Sequence, residues 1–241
     1  MQKLSIIIPV YNEAATFSEL MNRVLAVRIP NVKKEIIIAE SNSTDGTRKL
    51  VKNYEGKKGI TVLYQERPLG KGNAVRLGLQ HATGDIVLIQ DADLEYKPEE
   101  YEKLLEPILS GKTAFVLGSR PLGKDTWLIR SYLKDTIYAK LLNIGGLFYT
   151  MLFNLLYFVW LTDPATMFKV FRKDCVKNMT FKSNYFDFDW ELVAKLVRRG
   201  HVPLEVPISY TSRSLHEGKK IRFLRDGFFV FWAILRYRFL D

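Results

Sequence analysis

The chain of 241 residues contains a single cysteine, Cys175, and only three histidines, His81, His201 and His216. A lone cysteine excludes an internal disulfide, and the scattered histidines make no ligand cluster of the zinc type. Acidic residues are outnumbered, 26 against 36 lysines and arginines, leaving a formal net charge of +10. That balance suits an acidic partner: nucleic acid, anionic lipid headgroups or a phosphorylated substrate. No zinc-ligand spacing and no aromatic-glycine signature of RNA-binding sheets is present, so no nucleic-acid partner is expected. The first residues show no signal-peptide pattern, because the apolar run 4–10 is short and ends at Tyr11, Asn12 and Glu13. Cytoplasmic residence follows as the expectation. One further lack is local: no residue between Lys140 and Asp163 is charged.

What is present in the first half is an alternation of two periods. Buried-strand runs occupy residues 4–10, 35–39, 60–64 and 85–90, and helical spacing occupies 15–27, 47–54 and 73–81. Strands alternating with helices imply βαβ units and therefore an α/β fold with a mostly parallel sheet flanked by helices. Ligands of such sheets gather at the carboxyl ends of the strands. The polar clusters after the first, second and fourth runs all fall on that edge. No internal repeat or low-complexity linker divides the chain, so residues 1–241 read as a single domain.

Asp91-Ala92-Asp93 follows the fourth apolar run directly. Two acids so close at the end of a buried strand repel one another unless a cation neutralises them. A hard divalent ion shared with diphosphate oxygens resolves the repulsion, and Glu95 offers a third oxygen ligand. The alternative is a solvated turn with Asp93 capping a helix. Lys71, between Gly70 and Gly72 at a helix start, is a natural place for phosphate. It is not a P-loop, which needs an earlier glycine and a following Ser or Thr.

The segments 5–13 (Ser-Ile-Ile-Ile-Pro-Val-Tyr-Asn-Glu), 43–47 (Ser-Thr-Asp-Gly-Thr), 70–74 (Gly-Lys-Gly-Asn-Ala) and 90–93 (Gln-Asp-Ala-Asp) occur in that order. Together they resemble the inverting family-two glycosyltransferases of the GT-A fold, and most of all the dolichol- and polyprenyl-phosphate sugar synthases. The resemblance implies Pro9, Tyr11, Glu13 and Glu40 around the donor nucleoside. It also implies Mg2+ or Mn2+ held by Asp91, Asp93 and Glu95 against the diphosphate of a UDP- or GDP-sugar. Two departures stand out. The family's usual two aspartates after the second strand are here Glu40 and Ser41, and Glu95 replaces a customary glutamine.

The same resemblance divides the chain into a nucleotide-sugar half, about 1–120, and an acceptor half, about 121–241. In the latter, Arg120 and Arg130 would grip an acceptor phosphate through paired N–H donors. Arg213 and Lys219, in the segment 210–220, would close over the donor diphosphate. Asp189 would act as general base if the acceptor is a hydroxyl, and otherwise reads as a helix cap. The uncharged stretch 141–162 reads as a buried or interfacial helix rather than a membrane span, and the tail 221–241, rich in arginine and aromatics, as a helix lying on a membrane surface or packed on the core. Asn143, Thr150 and Asn154 leave a polar ridge along the first of them. The expected activity is inverting transfer of a sugar to a polyprenyl phosphate, with peripheral contact at the cytoplasmic face of a membrane. Transfer to a sugar hydroxyl of a glycan, or a non-catalytic nucleotide- or membrane-binding module, are the alternatives. A nucleotidyltransferase would need a glycine-rich first loop, and here that loop is Tyr11-Asn12-Glu13.

Overall fold

A computed structural model describes residues 1–124, 128–130, 136–213 and 223–241. Its centre is one seven-stranded sheet in the order β3-β2-β1-β4-β6-β5-β7. The strands are β1 (Gln2–Val10), β2 (Val32–Glu40), β3 (Ile60–Tyr64), β4 (Ile86–Ile89), β5 (Phe115–Ser119), β6 (Lys169–Arg172) and β7 (Leu204–Pro207). All pairs are parallel except those of β6, which runs antiparallel between β4 and β5. The four expected strands are all present with small shifts of their ends; β5, the antiparallel β6 and β7 were not foreseen.

The first four strands are nearly continuous Ile, Val and Leu because helices cover both faces of the sheet, which is what a parallel interior demands. Every residue of Ile6–Ile8 and Ile86–Ile89 is essentially inaccessible to water. Helices α1 (Phe17–Ala26), α2 (Thr47–Lys52) and α3 (Lys71–His81) connect the first four strands, and α4 (Tyr101–Leu109) leads to β5. In α1 the buried set Phe17, Leu20, Met21 and Val24 follows the 3.6-residue period and faces the sheet.

The acceptor-side half adds α5 (Thr136–Tyr157), α6 (Asp187–Arg198) and α7 (Phe223–Phe239). The polar ridge of α5 turns inward. Asn143 exchanges hydrogen bonds with the Arg130 backbone at 2.8 and 3.0 Å, and Asn154 does the same with Leu161 at 2.8 and 3.0 Å. Its apolar residues therefore point both ways: Phe153 and Tyr157 pack in the core, while Ile144, Phe148, Met151 and Leu155 face outward. Residues 137–157 form the one helix among the described residues long and apolar enough to cross a membrane by length and composition.

Candidate active site

Loops at the carboxyl ends of β1, β2 and β4 wall one cavity of about 900 Å³. The Ser43–Thr47 motif builds this edge by clamping the first loop. Ser43 Oγ accepts the Asn12 N–H at 3.0 Å, Thr47 Oγ1 accepts that of Glu13 at 2.8 Å, and Asp45 accepts that of Ala14 at 3.0 Å. Asn12 answers by accepting the Thr44 N–H at 2.8 Å. The clamp points Glu13 into the cavity beside Pro9 and Tyr11.

After β4, Gln90 ties down the acidic loop by donating to the carbonyl of Asp91 at 2.8 Å, while its own oxygen accepts the Tyr101 hydroxyl at 2.8 Å. Leu94 sits at φ +62°, a left-handed geometry that a leucine rarely adopts, between Asp93 and Glu95. Burial first, then the charges of Asp91 and Glu95, pushes the Asp93 carboxyl up to about 7, with Arg213 pulling the other way. Burial likewise lifts Asp91 above its usual range despite Lys71 at 3.0 Å.

Two cations from distant parts of the chain meet these acids. Arg213 reaches Glu13 at 3.0 Å and Asp93 at 2.9 Å. Its backbone N–H donates to Glu95 at 2.8 Å, and the Tyr210 hydroxyl donates to the other Glu95 oxygen at 2.6 Å. Glu95, expected as a third metal ligand, thus holds the segment 210–213 in place. Lys71 bridges Asp91 at 3.0 Å and Asp189 at 3.8 Å, and Lys169 meets the other Asp189 oxygen at 3.1 Å. Asp189 lies in the first turn of α6 and the cap position is Phe186, so it does not cap the helix. Burial pulls the Lys169 ammonium below its ordinary range, against the neighbouring Asp189.

The glycines beside Lys71 carry a packing role. A Cβ at Gly72 would lie 2.5 Å from Phe188 Cβ and 2.8 Å from the Ser183 carbonyl, so only glycine lets α3 approach α6. That approach is what brings Lys71 to Asp189.

Arg120 departs most from expectation. It is buried, and its Nε and Nη2 make a bidentate pair with Asp163 at 2.6 and 2.7 Å, beneath the Tyr210 ring at 5.0 Å. The paired donors expected to hold a phosphate are taken by a carboxylate 43 residues away. Arg130 does reach the cavity, and its buried Nε has no hydrogen-bond partner among the described residues. Glu40 is fully buried and lies outside the cavity lining, whereas Ser41 is in it. Lys219 falls outside the described residues. Sequence reasoning missed Lys169, whose signal was a lone charge in the apolar run 167–171, and Arg225, which lines the cavity from α7.

Among the described residues no three acid, histidine or cysteine side chains converge as a ready-made metal cage. The donor set still suits a hard cation. Crowded carboxylates at Asp91 and Asp93 are what Mg2+ uses together with substrate phosphate oxygens, rather than an all-protein cage.

A mostly parallel sheet with an antiparallel strand toward one edge and an acidic loop after β4 is the GT-A glycosyltransferase architecture. The chain belongs to glycosyl transferase family 2, whose model matches residues 5–179. It is 28% identical to the dolichol-phosphate mannosyltransferase of Pyrococcus furiosus, over 90% of this chain and 59% of that protein. It is also 28% identical to the undecaprenyl-phosphate 4-deoxy-4-formamido-L-arabinose transferase of Edwardsiella ictaluri, over 90% of this chain and 63% of that one. The chain therefore spans about three-fifths of the length of these curated relatives. Among solved structures, the glucosyl-3-phosphoglycerate synthase of Mycobacterium tuberculosis in complex with Mn2+, UDP and glucosyl-3-phosphoglycerate shares the fold. It superposes with a TM-score of 0.72 at 19% identity, covering 98% of this chain and 80% of that one. The mannosyl-3-phosphoglycerate synthase of Rubrobacter xylanophilus gives 0.70 at 20% identity, with 98% and 73% covered.

Proposed function

We propose that this chain transfers a sugar, with inversion, from a nucleoside-diphosphate sugar to a polyprenyl-type lipid phosphate. One observation carries the reading. The cavity that holds the Asp91–Asp93 acids is also lined by Leu142, Tyr149, Arg225 and Val230 of α5 and α7, helices that carry exposed hydrocarbon on their other faces. The names of the curated relatives, a dolichol-phosphate and an undecaprenyl-phosphate sugar transferase, support it.

In this reading residues 1–120 and 121–241 are the donor and acceptor halves of one domain. Pro9, Tyr11 and Glu13 surround the nucleoside. Asp91 and Asp93 hold Mg2+ or Mn2+, which when bound offsets the charge gathering on the departing nucleotide. Lys71 and Arg213 add fixed positive charge beside the diphosphate. Arg130, whose Nε has no hydrogen-bond partner among the described residues, and Arg225, whose Nε and Nη2 share a single Asp226 oxygen at 2.8 and 2.7 Å, receive the acceptor phosphate. A phosphate monoester has its second pKa near about 6, so its oxygen is already ionised and needs no strong base. Asp189 supports this choice over a hydroxyl acceptor. Each of its oxygens faces a lysine ammonium, so it holds two cations in position rather than standing ready to take a proton.

The docking surface we propose is a bilayer. Ile144, Phe148, Met151, Leu155 and Trp160 on one side, and Leu224, Phe228, Trp232 and Phe239 on the other, are exposed, and Trp160 reaches 95%. Exposed apolar area of this extent marks an interaction face. Arg236 and Arg238 and the net charge of +10 suit the anionic cytoplasmic leaflet. Contact is peripheral, with α5 lying in the interface.

Titration calorimetry tests the donor half, with UDP- and GDP-sugars, with and without Mn2+, on wild type and Asp93→Ala. Metal-dependent binding of one donor, lost in the variant, is expected. A folded protein that binds no nucleotide-sugar contradicts the proposal.

A further inference from the structure

Ser41 replaces an acid at the end of β2, and its hydroxyl has a definite polarity that can be traced from the far side of the sheet. The trace begins at Arg76 on α3. Its Nη2 lies 2.6 Å from the side-chain Oδ1 of Asn184, and its Nη1 donates to the Phe181 carbonyl at 2.8 Å. A guanidinium only donates, so the Asn184 atom it meets is an oxygen. That same oxygen lies 3.1 Å from the Asn73 side chain, which must therefore present its NH2. The Asn73 oxygen then faces Gln65 at 2.7 Å, which fixes the Gln65 NH2 toward it. The remaining Gln65 oxygen lies 2.6 Å from Ser41 Oγ. An oxygen cannot donate, so the Ser41 proton points at Gln65. Each amide orientation follows from the one before, back to a group that cannot change role.

Ser41 is buried, and it lines the active-site cavity. With its proton committed, it offers that cavity lone pairs only. The sheet order says which part of a ligand meets it. Ser41 and Pro68 follow β2 and β3, on one side of β1, while Asp91 and Asp93 follow β4 on the other. Strands lie about 4.8 Å apart, so the ends of β2 and β4 are separated by about 10 Å. The acids, Lys71 and Arg213 thus cluster on the β4 side, and the β2 side is walled by Pro9, Tyr11, Ser41 and Pro68. A nucleotide places its phosphates at the charged end and its base at the other. Glu40 does not compete for the base, since it is fully buried, accepts the Ser43 N–H at 2.6 Å and faces Arg48 at 3.6 Å.

Resting on the nucleotide-sugar reading above, we infer that Ser41 is the base-reading residue, that it accepts one ring N–H, and that the donor carries an imide pyrimidine of the uracil type, as in a uridine diphosphate sugar. Uracil presents a single imide N–H flanked by carbonyls, which matches one acceptor. Cytosine presents a bare ring nitrogen there, setting lone pair against lone pair. Guanine presents two adjacent donors, and one hydroxyl oxygen leaves the second unmet. Gln65, Asn73, Asn184 and Arg76 are positioning residues that keep the hydroxyl in this sense.

Equilibrium dialysis in Mn2+ with UDP, CDP, GDP and 3-methyl-UDP tests the inference, because 3-methyl-UDP carries N–CH3 where UDP carries the ring N–H, and CDP lacks that N–H without the added methyl. Wild type is expected to bind UDP about tenfold or more tighter than each of the others. In Ser41→Ala the preference for UDP over both CDP and 3-methyl-UDP falls to within about threefold. Arg76→Met, which frees the relay to reverse, lowers the UDP-to-CDP ratio, and Arg76→Lys, which keeps a donor-only group, restores it. Wild type binding CDP or 3-methyl-UDP as tightly as UDP, or GDP more tightly, overturns the inference and leaves the parent reading intact. An unchanged ratio in folded Ser41→Ala also overturns it. Failure of all four nucleotides to bind overturns both together.

Discussion

Replacing Asp93 by asparagine removes a carboxyl that burial, Asp91 and Glu95 together push up to about 7. In the unfolded chain the same group ionises near about 3.9. Between those values the folded protein keeps a proton that the unfolded chain has released, so wild-type stability falls as pH rises through this window. From pH 5 to pH 8 the loss through this one group is about 2 to 3 kcal/mol. In a chain of this length that corresponds to about 5–10 °C in Tm. The asparagine variant has no carboxyl to ionise at position 93, and Arg213 still has Glu13 at 3.0 Å. Urea unfolding of both proteins in EDTA, at half-unit steps of pH, reads the difference directly. The variant is expected to gain on wild type steadily from pH 5 to 7 and then to level off. Saturating Mn2+ at pH 8 should stabilise wild type by mass action and leave the variant unmoved. A stability difference that stays flat with pH refutes the claim that Asp93 is held in a crowded acidic cluster.

Four other outcomes follow from the geometry. Arg120→Ala leaves Asp163 buried without its partner and should lower stability by about 3–5 kcal/mol in urea titrations; a drop in acceptor affinity with normal stability would instead make Arg120 a phosphate ligand. Gly72→Ala forces α3 from α6 and should cost about 1–3 kcal/mol of stability and weaken nucleotide binding, read by thermal unfolding with and without UDP. Asp189→Asn should retain turnover with a lipid-phosphate acceptor to within about tenfold, whereas a fall of about a thousandfold would point to a general base. Leu155→Ser and Phe228→Ser should each weaken partition onto anionic vesicles by about tenfold in sedimentation assays without altering nucleotide binding.

How far the sequence reached depended on whether each signal was local. Residues 4–10, 35–39 and 86–89 betray buried strands because both faces of a parallel sheet are covered, so the apolar run is unbroken. Helix α1 shows its period for the opposite reason, having one buried face. The stretch β5-β6-β7 escaped notice because β6 pairs with β4 and β5 across a long excursion in sequence, and its first residue is a lysine. The Asp91–Asp93 pair was legible since two acids after a buried strand are informative wherever the rest of the chain lies. The partner of Arg120 was not, because Asp163 is brought to it only by the packing of β5 against the segment before β6. The inward turn of Asn143 and Asn154 escaped for the same reason. A polar ridge on a helix says that something polar faces it, and here that is the protein's own backbone.

The most direct test of the account is product analysis by mass spectrometry after incubating the protein with a UDP-sugar panel, polyprenyl phosphate in anionic vesicles and Mn2+. A polyprenyl-phosphate sugar of inverted anomeric configuration, formed by wild type and lost in Asp93→Ala, is the predicted result. A folded protein that binds nucleotide and vesicles yet transfers sugar only to a glycan hydroxyl, or to nothing, would contradict it.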